Sequence, residues 1–168
     1  MLRRAQVPGA LAHRDIPLDA LKAQHPGKRI TVGVAIVSDD EPRKLLLLQR
    51  SANEDTLPNM FELPGGNCDP GDLTVIDAVA RETEEETGLV VAEVLSEFEH
   101  FEYSTKRGPA MQLNFLVRVE HDGTLKLNPE EHQACLWIES PGVLDTLPMT
   151  AGMKKVVACA LEAAKENN

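Results

Sequence analysis

Gly65-Gly66-Asn67-Cys68-Asp69-Pro70-Gly71-Asp72, followed by Arg81-Glu82-Thr83-Glu84-Glu85-Glu86-Thr87-Gly88-Leu89, is the stretch on which the fold turns. A glycine-rich loop runs into a helix whose last turns carry four glutamates. Glu82, Glu85 and Glu86 stand at i, i+3 and i+4. At ~100° per residue, Glu86 lies about 40° from Glu82 and Glu85 about 60° the other way. The three share one face, where like charges repel and weaken a bare helix. A divalent cation with oxygen ligands is the natural compensation. Glu84 points elsewhere, to solvent.

Working outward, the spacing predicts a helix from about Thr74 to Thr87. Thr74 and Asp77 resemble a capping box, and Gly88 suits the residue after the helix. Val75, Ile76, Val79 and Ala80 form its inner face. Upstream, Ile30 to Val37 and Lys44 to Arg50 read as two strands joined by a hairpin-like loop at Ser38-Asp39-Asp40-Glu41-Pro42. Met60 to Leu63 reads as a brief strand stopped by Pro64 and Gly65. Downstream, Val90 to His100 and Met111 to Glu120 read as strands, with Thr105 to Ala110 as their loop. Leu136 to Glu139 makes a last short strand. Thr150 to Lys165 makes a C-terminal helix with Met153, Val156, Val157, Ala160 and Leu161 along one side. Residues 1–27 read as an N-terminal arm punctuated by Pro8, Gly9, Pro17, Pro26 and Gly27, with a short helix near Leu18 to Gln24. Residues 28–168 form one domain. Strands with one helix inserted and another at the end imply an α/β fold, a mixed sheet covered by helices.

The chain of 168 residues, 42% of them apolar, suits one globular core. Its formal net charge of −10 argues against long nucleic acid, which needs a basic stripe. A small phosphorylated substrate stays compatible, provided a metal supplies positive charge. Cys68, Cys135 and Cys159 show neither zinc spacing nor a disulfide framework, which favours a reducing, cytoplasmic setting. No apolar run approaches the ~18 residues of a membrane span. Arg3 and Arg4 are followed by no apolar signal segment, so no signal peptide is expected, and a mitochondrial presequence is the lesser alternative.

On these residues the chain resembles the Nudix hydrolases. Their box begins at Gly66 and ends on Arg81-Glu82, Glu85-Glu86 and Gly88-Leu89, with Phe61-Glu62-Leu63-Pro64-Gly65 resembling the usual approach. Three departures stand out: Asp72 replaces a glutamate, eight residues rather than seven separate it from Arg81, and Thr83 fills an apolar slot. The lengthened box is similar to that of fungal-type members. The resemblance implies a Nudix-like α/β/α sandwich and hydrolysis of a diphosphate linked to a group X, with Mg²⁺ or Mn²⁺. It implies metal ligation by Glu82, Glu85, Glu86 and the Gly65 carbonyl, with Arg81 orienting a glutamate. The expected partner is a small-molecule diphosphate, not a membrane. A catalytically silent nucleotide-binding or regulatory protein of the same fold is the alternative.

Asp72 either ties the loop or is a solvated acid. The family often draws a further acid from a late loop, and Glu131, with Glu130 close behind, is the candidate base or ligand. His132 contacts substrate or is an idle surface histidine. Arg50, Lys106, Arg107 and Tyr103 are candidates for binding phosphate or X, each against a plain structural role. Cys68 reads as incidental.

Overall fold

The structure is a computed structural model that describes residues 4–167. The start of the expected arm, Arg3 included, and Asn168 lie outside the described residues. In chain order the elements are α1 (Leu18–Gln24), β1 (Arg29–Val37), β2 (Leu45–Arg50), β3 (Phe61–Glu62), β4 (Gly65–Asn67), α2 (Val75–Thr87), β5 (Val91–Thr105), β6 (Gly108–Val119), β7 (His132–Ile138) and α3 (Ala151–Glu166). All seven strands join one mixed sheet. β1 and β6 run parallel and the other pairs antiparallel. No helix of the described residues is long and apolar enough to cross a membrane.

Strand alternation sorts β1 onto two cores. Ile30, Val32, Val34 and Ile36 face Val75, Ile76 and Val79 of α2. Ala35 and Val37 face Val156, Val157, Ala160 and Leu161 of α3. The sheet is therefore covered on both faces, the α/β/α sandwich expected. Leu11, Leu18 and Leu21, from the N-terminal segment, complete the α2-side core.

The predicted β1–β2 hairpin closes at one pair only, Val37 with Leu45. Beyond it the strands part. On β2, Leu48 pairs with Cys135 of β7 on one edge and Glu62 of β3 on the other, the edge that Val37 occupies at Leu45. On β1, Gly33 pairs with Asn114 of β6 on one edge and Gly65 of β4 on the other. The sheet thus forks, with β3 lining one prong and β4 the other. Val34 N–H donates to the Pro64 carbonyl across the gap, at 2.8 Å.

Other boundaries moved for physical reasons. Residues 65–67, expected as loop, pair with β1 because glycine lets the backbones approach. The β5–β6 hairpin runs to a two-residue turn at Lys106-Arg107, where Thr105 pairs with Gly108. Its outer part has only Phe101 and Tyr103 in alternation with polar residues, a run too short to mark the strand to its tip. β7 starts at His132, four residues ahead of the expected Leu136. On α2, Ala78 is fully buried while Ala80 is only part-buried, so the inner face is rotated from the one expected.

Candidate active site

The site is built at the fork, under the last turns of α2. The helix starts where expected: Thr74 Oγ1 accepts from Asp77 N–H, and Asp77 returns a bond to Thr74 N–H, a complete capping box. It stops at Gly88, in the left-handed region at φ 69°. The long box is absorbed in the turn before Thr74, where Leu73 stands 77% exposed.

Gly65 lies too close to the backbone of β1 for any side chain, and Gly66 lies against the carboxylate of Glu82, which a side chain there would displace. A Cβ on Gly65, at φ +148°, would lie 2.1 Å from the Val32 carbonyl oxygen. A Cβ on Gly66 would lie 2.5 Å from Glu82 Oε1. The loop is thereby pressed against β1 on one side and a box carboxylate on the other.

Arg81 ties loop to helix. Its Nε and Nη2 donate to the two oxygens of Asp72, at 3.0 and 2.9 Å, and Nη2 also donates to the Asn67 carbonyl at 2.9 Å. Nη1 reaches Glu82 and Glu85, each at 3.0 Å. The Asp72 hydrogen bonds hold the guanidinium firmly charged. Asp72 is buried and also accepts from Asp69 N–H at 2.7 Å, so it is the loop's tie and not a solvated acid. Burial pushes the neighbouring Cys68 thiol up to about 12, with Asp72 adding, which leaves it inert.

The three box glutamates do not converge equally. Glu86 is 5% exposed and accepts from Gly65 N–H at 2.9 Å. Burial pushes its carboxyl up to about 9, with Glu82, Glu62 and Glu131 adding to the rise. Glu82 is raised by burial, against the pull of Arg81. The Glu85 side chain is 57% exposed and meets only Arg81. Glu86, Glu131 and His132 each place a donor atom within 4.8 Å of the others. This set differs from the Glu82–Glu85–Glu86 set that helical spacing suggests. Glu130 is exposed and forms no part of it.

Two residues here were missed or undervalued in the sequence. Glu62 of β3 accepts from Arg50 Nη1 and lies against His132 Nε2, both at 3.0 Å. Its alternation with Phe61 and Leu63 was the available signal, since it places Glu62 on the opposite face from both. His132, expected on the surface, is 2% exposed. Arg50 spends its other donors on the Thr56 carbonyl and Glu54. Lys106 and Arg107 are exposed at the hairpin tip. Tyr103 donates to Thr31 Oγ1 at 3.3 Å and packs beside Phe101. None of these last three contacts the carboxylate cluster. A groove of about 870 Å³ runs along the other flank of α2, lined by Leu73, Ile76, Ala80, Arg81, Glu85 and Val91 among others, and excludes Glu86, Glu131 and His132.

Residues 27–158 match a family model described as NUDIX domain. A m7GpppN-mRNA hydrolase NUDT17 of Xenopus laevis is 38% identical over 68 residues, 40% of this chain and 23% of that protein. An octanoyltransferase of Myxococcus xanthus is 30% identical over 160 residues, 93% of this chain and 43% of that protein. The chain thus spans less than half the length of these two relatives. The solved MutT NUDIX hydrolase of Burkholderia pseudomallei is 26% identical, with a TM-score of 0.58, covering 82% of this chain and 98% of that one.

Proposed function

The chain belongs to the Nudix family, and on that premise we propose that it hydrolyses a diphosphate linkage in a nucleoside diphosphate or triphosphate derivative, or a related X-linked diphosphate, with Mg²⁺ or Mn²⁺. The observation that carries this reading is the convergence of Glu86, Glu131 and His132 beside the Gly65-Gly66 loop. The donor set fits a divalent cation: two carboxylates and an imidazole within 4.8 Å, with Glu82 packed against Gly66 nearby. Glu82, Glu86, Glu131 and the Gly65 carbonyl are the groups proposed to hold it, with Glu85 at the margin.

A bound dication supplies the positive charge that lets a diphosphate enter a carboxylate-lined site, and it polarises phosphorus. The chain's residues do the rest. Asp72 fixes Arg81, and Arg81 aims Glu82. Glu131, which is exposed, is proposed to ligate through one carboxylate oxygen and to take the proton of the attacking water on the other. Lys106, Arg107 and Tyr103, on the β5–β6 hairpin, are proposed to meet X. The frog relative is named for a nucleotide-derived substrate, and a net charge of −10 favours a small substrate over long nucleic acid. Three free cysteines suit a reducing, cytoplasmic setting.

The test is release of phosphate or pyrophosphate from a panel of nucleotide derivatives with Mg²⁺ and with Mn²⁺. Release that is lost in Glu86→Gln is expected. No release from any member of the panel would leave the fold to a silent binding protein.

A further inference from the structure

Glu62 has no role in the function proposed above, and His132 stands in the cluster without being one of the groups that hold the cation. His132 opens β7 opposite Arg50 of β2, and Glu62 pairs with Leu48 of the same β2. One strand therefore brings both to the α2 face of the fork. Glu62 Oε1 is 3.0 Å from both Arg50 Nη1 and His132 Nε2. With a carboxylate to receive it, the ring proton belongs on Nε2. Nδ1 then keeps a lone pair. That atom is buried and has no hydrogen-bond partner among the described residues. The ring also places a nitrogen within 4.8 Å of carboxylate oxygens of Glu86 and Glu131. An imidazole that donates one nitrogen to a carboxylate and leaves the other bare is arranged as metal-ligating histidines are.

We propose that His132, oriented by Glu62, presents Nδ1 as a nitrogen ligand that completes a cation site with Glu86 and Glu131, and that this site takes a first-row transition-metal dication in preference to Mg²⁺. The inference rests on the reading of this face as a metal centre. It adds a donor that the box carboxylates do not supply. Magnesium favours oxygen ligands and keeps its waters, whereas imidazole nitrogen suits the transition metals.

Pulsed EPR on Mn²⁺ bound to the whole chain tests the ligand directly. The expected result is a nitrogen coupling that changes its isotope signature when the histidines are labelled with ¹⁵N, and that vanishes in His132→Gln. Calorimetry should show His132→Gln weakening Co²⁺ or Mn²⁺ binding about 10- to 100-fold and Mg²⁺ binding less than about threefold. Should His132→Gln fail to fold, the labelled wild-type chain still decides. Mn²⁺ bound without nitrogen coupling would overturn the proposal, as would a folded His132→Gln with unchanged transition-metal affinity. Phosphate release is read alongside. Release without nitrogen coupling removes the ligand but leaves the proposed function standing. Nitrogen coupling without release from any substrate supports the ligand and removes the function.

Discussion

Glu86 shows how burial separates glutamates that the sequence treats alike. Its carboxyl sits beneath α2, raised to about 9, while Glu85 one residue earlier is open to solvent. Turnover in Glu86→Gln should therefore fall ~10²-fold or more, as expected when several kcal/mol of metal-assisted charge stabilisation is lost. Glu85→Gln should fall less, because it removes only a contact to Arg81. Steady-state rates of both folded variants decide this, and equal losses would return Glu85 to the metal. The same shift sets a pH dependence. In the unfolded chain this carboxyl ionises near 4.5, whereas the folded, metal-free chain holds the proton to about 9. Between those values the folded state binds more protons, so metal-free stability should drop as pH rises. Melting temperatures from pH 5 to 9 check it, with a flatter profile expected for Glu86→Gln. Millimolar Mg²⁺ at pH 8 should raise the wild-type value, since only the folded chain assembles the site. Glu82 and Glu86 were legible as a pair from helical spacing, whereas strand alternation gave only the face of Glu62, and its meeting with His132 is made by strand pairing.

At the scale of elements, α2 shows why the departures in the box are tolerated. The extra residue falls in a turn ahead of the cap, so the register of Arg81 and the glutamates is untouched, and Arg81 still reaches Asp72 with Nε and Nη2. Thr83, in an apolar slot, is fully buried yet satisfied, its hydroxyl donating to the Val79 carbonyl at 2.7 Å. The cap is the point where local sequence sets the helix. Thr74→Ala should cost ~1 kcal/mol, the usual worth of an N-cap, read as a lower denaturation midpoint with an unchanged slope. No loss would mean that tertiary packing alone positions the helix start. Helices were legible because caps and the 3.6-residue period are local. The β4 strand and the outer β5–β6 hairpin were not, since β4 carries no apolar alternation and the hairpin only the short one of Phe101 and Tyr103.

Across the whole molecule, the N-terminal segment is part of the core. Leu21 is fully buried and packs in the cluster that includes Val75 and Val79 of α2, although it precedes the residues that match the family model. Arg14 Nε donates to Glu97 of β5 at 2.6 Å, fastening the same segment across the sheet. Leu21→Ala should destabilise the fold by ~2–5 kcal/mol, the range for emptying a buried leucine site. Chemical denaturation measures it, and a cost below ~1 kcal/mol would mark the segment as peripheral.

By itself the sequence determined the helix, its caps, the sided array of glutamates, the glycines beside them and the mixed α/β architecture. Each of these depends on contacts within a few residues or on a repeating period, and such information is written locally. Only the tertiary structure decided that the β1–β2 hairpin opens into a fork and that Asp72 is buried under Arg81. It also decided that Glu86, not Glu85, meets Glu131 and His132. Those facts depend on which strand edges pair and on how much solvent each carboxylate loses, and neither follows from spacing along the chain.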